Sequence, residues 1–187
     1  MTIQEPAAYW DGLWSTGHRY RPLDEAETAL LDRHAGAGQG RYALDIGSGD
    51  GALARHLARL GYDTTALDCA PAAIALAAGE TEAERVTFCC GDIEAPSPPA
   101  LPESAYALIT ARLVFAFIKD KPAFLDRVRG LLAPGGLFWV VSPMAERVAP
   151  DRASIGITGT EEELLISGWS AVRATDLDNM RCFTLRP

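Results

Sequence analysis

Three aspartates stand where an apolar run gives way to a turn: Asp45 in Ala43-Leu44-Asp45-Ile46, Asp68 in Ala66-Leu67-Asp68-Cys69, and Asp92 in Cys90-Gly91-Asp92-Ile93. A carboxylate in such a place can pair with a cation, accept from two vicinal hydroxyls, or accept from an exocyclic amine. The first is followed by Gly47-Ser48-Gly49-Asp50-Gly51, and glycines there let the backbone turn sharply and approach a ligand closely. Gly47-x-Gly49-x-x-Ala52 fits the dinucleotide pattern, and Asp68, 21 positions after Gly47, fits the acid that would hold its ribose.

Charge separates two readings of this loop. A pyrophosphate would lie beside Asp45 and Asp50. At an effective dielectric of 20, like charges about 4 Å apart repel by roughly 4 kcal/mol, against the ~2 kcal/mol a helix dipole offers at best. A cationic ligand turns that repulsion into attraction. S-adenosylmethionine carries a sulfonium and an ammonium. Its aminoacyl end would face Asp45 in a cradle of Gly47, Ser48 and Gly49. Its ribose would sit on Asp68 beside Cys69, and its adenine amine on Asp92 beside Ile93. Any one of the aspartates alone is equally a turn or cap residue; the ordered set at successive strand ends is what points to a site.

The elements that must position these groups follow from periodicity. Residues 1–40 carry helical patterns and end in Gly36-Ala37-Gly38-Gln39-Gly40, after which apolar runs alternate with amphipathic stretches. Strands are expected at about 42–46, 63–68, 85–90, 106–111, 137–142, 170–176 and 180–186. Leu53, Leu57 and Leu60 form one helical stripe over 51–60, and Pro71 suits the first turn of the next helix. Asp120 can cap a helix over 120–132 that Ala133-Pro134-Gly135-Gly136 ends. Thr160-Glu161-Glu162-Glu163 reads as a capping-box start, with Gly168 as the stop. The prolines of 95–102 rule out a crossover helix there. The few residues around Asp178 and Asn179 leave room only for an antiparallel hairpin. Segment 143–159, with Pro143, Pro150, Gly156 and Gly159, reads as a mobile rim.

Composition narrows the partners. The 187 residues, 48% hydrophobic, suit one folded domain, 1–187, with 1–40 as a helical cap and 41–187 as the core. A net charge of −8 argues against nucleic acid, whose phosphates need clustered cations. No apolar run is long enough to span a membrane. The start, Met1-Thr2-Ile3-Gln4-Glu5-Pro6, lacks the basic and apolar regions of a secretion signal, and a cytoplasmic protein is expected. Cys69, Cys89, Cys90 and Cys182 show no metal-ligand spacing.

With these residues together, the chain resembles the class I S-adenosylmethionine-dependent methyltransferases over roughly 40–187. Leu44-Asp45-Ile46-Gly47-Ser48-Gly49-Asp50-Gly51 looks like the family's first motif, Asp68 and Asp92 match its ribose and adenine acids, and Leu131-Leu132-Ala133-Pro134-Gly135-Gly136-Leu137 looks like its later turn. The resemblance implies an α/β fold: a Rossmann-like, seven-stranded, mostly parallel sheet with helices on both faces and a C-terminal antiparallel hairpin. Trp10-Asp11-Gly12-Leu13-Trp14 with Gly17 is similar to the cofactor-covering helix of the thiopurine methyltransferase branch. That makes 1–40 a lid and gives Trp10 and Trp14 a place over the cofactor; both can equally serve to dock the helix. Arg112 matches the arginine that this branch points at the acceptor, though Ala111 stands where the branch has an acid.

The acceptor is approached by elimination. No Asn/Asp-Pro-Pro-Tyr/Phe follows the fourth strand, no Pro-Cys pair suggests cytosine chemistry, and Thr110-Ala111-Arg112 lacks the carboxylate of metal-dependent catechol-type enzymes. The expectation is a metal-independent methyltransferase, monomer or homodimer, acting on O, S or N of a small molecule. The candidates for acceptor contact are Trp10, Trp14, His18, Arg19 and Tyr20 in the lid, Arg112, and Pro143, Met144 and Glu146 after the fifth strand. Arg112 and His18 are the catalytic candidates. Arg112 either faces the acceptor, favouring an acidic one, or pairs with Glu146 or Asp92. A nicotinamide-dependent oxidoreductase and a non-catalytic protein that keeps the fold are the alternatives.

Overall fold

The computed structural model of the chain describes residues 5–80, 84–97 and 100–187. The readings made of residues 1–4 and of Pro98 and Pro99 fall outside these. Two helices come first, α1 (Pro6–Ser15) and α2 (Glu25–Ala35). Then strands and helices alternate: β1 (Tyr42–Ile46), α3 (Ala52–Arg59), β2 (Asp63–Asp68), α4 (Pro71–Ala78), β3 (Val86–Cys90), β4 (Tyr106–Arg112), α5 (Lys121–Leu131), β5 (Leu132–Pro143), α6 (Gly159–Ile166), β6 (Ala171–Leu177) and β7 (Met180–Arg186). The sheet runs β3-β2-β1-β4-β5-β7-β6. Every pairing is parallel except those of β7 with β5 and β6, so the hairpin at Asp178 and Asn179 is antiparallel as its short turn requires.

Strand parity builds two cores. Leu44, Ile46, Ile109, Phe138, Val140, Phe183 and Leu185 pack on one face with Phe124, Leu125 and Val128 of α5. The intervening residues Ala43, Leu108, Trp139, Val141 and Cys182 pack on the other with Leu31 of α2 and Leu53 and Leu57 of α3. A period of two sends successive side chains to opposite faces, so a sheet covered on both sides reads as an unbroken apolar run.

Local chemistry fixes the helix ends. Asp120 accepts from Ala123 N–H at 3.0 Å and starts α5; Pro71 occupies the first turn of α4. Several boundaries differ from the sequence expectation. The capping box of α6 uses Thr158 and Glu161, two residues before the expected Thr160. Both threonines have a glutamate three places on, but Glu161 also pairs with Lys121 Nζ at 2.9 Å, a tertiary contact that settles the register. β5 begins at Leu132, because Leu132 pairs with Tyr106 before a register shift. Segment 143–159 is not a bare rim: Ala145–Arg147 and Pro150–Ile155 form 3-10 turns, and Ala145 N–H and Ile157 N–H bond to Ile157 O and Pro143 O, pinning both ends.

Candidate functional site

The glycine loop is braced from below. Gly47 N–H and Ser48 N–H both donate to Leu67 O at 2.7 and 3.1 Å, and Gly49 N–H donates to Asp68 Oδ2 at 2.9 Å. Gly51 N–H goes to Ser48 O, and Ala52 N–H to Asp50 Oδ1. Amides that would cradle a phosphate at the start of α3 are thus spent inside the protein, which weighs against the pyrophosphate reading. Two of the glycines are required by geometry. Gly47 has φ +68 and a Cβ there would lie 2.3 Å from Val114; Gly49 has φ +54 and a Cβ would lie 2.8 Å from the Trp14 ring.

Asp45 stands at the base of this loop, 1% exposed. Its register partner on β4 is Thr110, whose hydroxyl donates to Oδ1 at 2.7 Å. Its Oδ2 is buried with no partner. Burial pushes the carboxyl up to about 7, against the Thr110 hydrogen bond and the Arg112 charge; Asp68 and Asp50 push it further up. An orphaned carboxylate oxygen in a dry site is costly, and an ammonium is the group that would relieve it.

Asp68, at the end of β2, accepts from Gly49 N–H and from Ala70 N–H, both at 2.9 Å. It joins the glycine loop to the start of α4 and keeps acceptor capacity for a ligand. Burial raises its pKa against those backbone bonds. Cys69 follows it, its thiol pushed up to about 12 by burial and the nearby carboxylates, so it is no nucleophile. Asp92 folds back to accept from Glu94 N–H at 2.8 Å. Its loop is held from two sides: Arg127 donates to Ile93 O and Ala95 O, and Glu94 accepts from Lys119 and Asp120 N–H.

The lid closes over these groups. Asp11 of α1 accepts from Ala72 N–H at 2.7 Å, capping the exposed start of α4. Trp14 lies on Gly49, and Trp10 meets Phe117 edge-on at 4.8 Å between ring centroids. Tyr20 sits among Trp10, Trp14 and His18, at 5.9, 5.1 and 5.8 Å. Lid, loop and strand ends enclose one cavity of about 1150 Å³, lined by Trp10, Trp14, His18, Arg19, Tyr20, Asp45, Gly47, Ser48, Gly49, Asp68, Cys69, Asp92, Ile93, Arg112 and Pro143 among others. That volume exceeds the usual small-molecule site of ~300–1,000 Å³ and has room for a nucleoside and a second molecule. Among the described residues, no group of three or more His, Cys, Asp or Glu side chains is placed to hold a metal ion.

Other candidates are placed differently from the expectation. Arg112 pairs with neither Glu146 nor Asp92. Its Nε lies 2.7 Å from Glu27 Oε1, and the guanidinium also donates to Arg21 O and Pro22 O, both at 3.0 Å. The reason is parity: Leu108, Thr110 and Arg112 share the face that α2 covers. Arg112 borders the cavity but spends its donors holding the stretch that joins the lid to α2. Met144 is 1% exposed in the core, and exposed Glu146 is not part of the cavity wall. Asp11 lies inside the Trp10–Trp14 motif, but nothing in that motif gives it the role of capping α4, and Glu27 carries no motif. Asp11 is the one acid of a largely apolar and aromatic helix, a weak signal, whereas Glu27 is one of three acids in α2 and has none.

An open, mostly parallel α/β sheet whose acidic strand ends line a roofed cavity defines a nucleoside-binding class. The chain belongs to the methyltransferase-domain family, whose model matches residues 44–140. A ubiquinone biosynthesis O-methyltransferase of Paramagnetospirillum magneticum is 31% identical over 145 residues, 70% of this chain and 56% of that protein. The chain therefore spans little more than half of that relative's length. Among solved structures, the DhpI-SAM-HEP complex is similar with TM-score 0.74 and 23% identity, covering 100% of both chains. A S-adenosylmethionine-dependent methyltransferase from Mesorhizobium loti is similar with TM-score 0.72 and 18% identity, over 87% of this chain and 98% of that one. At these identities the structural likeness concerns the fold. No described helix is long and apolar enough to cross a membrane.

Proposed function

We propose that the protein transfers a methyl group from S-adenosylmethionine to a small molecule, without a metal, on an oxygen, sulfur or nitrogen atom. The carrying observation is the buried, unpartnered Oδ2 of Asp45 beneath a loop in which the amides of Gly47, Ser48, Gly49 and Gly51 are already committed. That pairing favours a cation over a phosphate. The likeness to an O-methyltransferase makes oxygen the preferred acceptor atom.

When bound, the donor supplies a methyl group on a positively charged sulfur. In this reading Asp45 holds the ammonium, Asp68 accepts from the ribose and Asp92 from the adenine amine, while Ser48, whose Oγ is also buried without a partner, offers a further polar contact. Trp10, Trp14 and Phe117 exclude water and help hold donor and acceptor in line, which is where such a displacement gains most. Arg19 and Arg152 are exposed residues on the cavity wall and suit an acceptor with an acidic O–H or S–H, which needs little help to lose its proton. His18, exposed beside Tyr20 on the cavity wall, is a side chain able to take one. Four unpaired cysteines suit the cytoplasm.

A screen of small phenols, thiols, carboxylic acids and amines with methyl-labelled donor tests the reading. Label should pass to acidic phenols or thiols; transfer to none of the four classes, with the donor bound, would leave a binding protein rather than an enzyme.

A further inference from the structure

The hydroxyl of Tyr20 is a second unexplained group in the cavity. It is buried, bonds to nothing, and belongs to a side chain on the cavity wall. Its ring is fixed by Trp10 and Trp14, and Trp14 rests on Gly49, whose N–H bonds Asp68. Tyr20 therefore packs on the ring that rests against the loop bonded to Asp68, and both residues line the same cavity. Among the described residues, seven buried polar atoms lack a partner, and those of Tyr20, Asp45 and Ser48 all line this one cavity. Buried polar atoms without partners are uncommon, and three in one wall mark the outline of a polar ligand.

Chemistry says which part of the ligand meets Tyr20. Burial, Tyr9 and Asp68 all raise the phenol, so it stays protonated and donates. Asp68 accepts one backbone N–H on each oxygen and keeps acceptor capacity toward the cavity. No hydrogen bond joins Tyr20 to Asp68, although the charge of Asp68 is felt at the phenol. A group that fits between a donor and an acceptor must both accept and donate, as an alcohol does.

We infer that Tyr20 is a cofactor-contact residue supplied by the lid: its O–H donates to a ribose hydroxyl, which in turn donates to Asp68. The lid is then fastened through the nucleoside and closes on the ribose, in addition to the Asp11 cap on α4. This rests on the donor reading above. It assigns to Tyr20 a role in holding the cofactor, where the sequence suggested only acceptor contact.

The test is calorimetric titration of the whole chain, wild type and Tyr20→Phe, with S-adenosylhomocysteine and with its 2′-deoxy and 3′-deoxy counterparts. Phe keeps the ring in its aromatic box, so the variant folds. Tyr20→Phe should bind S-adenosylhomocysteine about three- to tenfold more weakly, the scale of one neutral hydrogen bond. It should bind the analogue that lacks the bridging hydroxyl as well as the wild type does. Equal affinity of the two proteins for S-adenosylhomocysteine, or an equal loss with all three ligands, overturns the inference and leaves the donor reading standing. A wild type that binds none of the three overturns both.

Discussion

The Thr110 hydroxyl donates to Asp45 Oδ1 across a register pair of β1 and β4, and leaves Oδ2 of the same carboxylate buried and unpartnered. One oxygen of the carboxylate is held by the sheet, and the other is left without a partner in a residue of the cavity wall. The arrangement ties fold stability, proton uptake and ligand charge to one residue.

A pH dependence follows, and its sign is fixed by the direction of the shift. Asp45 has a folded pKa raised from the ordinary carboxylate value to about 7. Its contribution to stability is therefore complete below about pH 4 and is lost as pH rises through 7. Thermal melts of the ligand-free protein should fall over that window, and Asp45→Asn should flatten the fall. Asp68, also raised, adds to the slope in both proteins. Affinity for S-adenosylhomocysteine should move the opposite way, strengthening from pH 6 to 8 as the carboxylate becomes available to the ammonium. A pH-independent affinity in the wild type would remove Asp45 from that contact.

Arg112 is expected to behave as a structural residue. The pair it makes with Glu27 is buried, with side chains 13% and 4% exposed. Arg112→Ala leaves Glu27 uncompensated and should cost about 3–5 kcal/mol in denaturant unfolding, whereas Arg112→Met with Glu27→Leu should recover most of it. A substrate-contact role alone would leave the unfolding midpoint of Arg112→Ala unchanged.

The lid contact at Gly49 gives a third test. A methyl group there would meet the Trp14 ring at 2.8 Å in a backbone conformation that only glycine adopts freely. Gly49→Ala should shift the tryptophan emission and weaken S-adenosylhomocysteine at least tenfold. Trp14→Ala in the same background should restore only part of the affinity, because the φ strain remains. Unaltered emission and affinity in Gly49→Ala would mean the lid does not rest there.

Much of this was legible in the chain. Apolar runs ending in Asp45, Asp68 and Asp92 announce both the strands and the acids at their tips, because parallel strands are apolar throughout and their ends alone admit charge. The helix starts at Pro71 and Asp120 are local and were readable. What could not be read was long-range choice between local equals. Thr158 and Thr160 both offer a capping box, and Lys121, distant in sequence, selects the first. The fate of Arg112 depended on which helix covers its face, and Glu27 gives no local sign that it is the partner. The Asp11 cap on α4 and the Tyr20 placement likewise exist only once α1 has docked.

The central claim is that Asp45, Asp68 and Asp92 hold a cationic nucleoside and reject a diphosphate. Calorimetry at pH 8 with S-adenosylhomocysteine and with NADH, on wild type and Asp45→Asn, tests it most directly. The account predicts micromolar-range binding of the first, about tenfold or more weaker in Asp45→Asn, and no heat from the second. Saturable NADH binding without S-adenosylhomocysteine binding, or full affinity in Asp45→Asn, would contradict it.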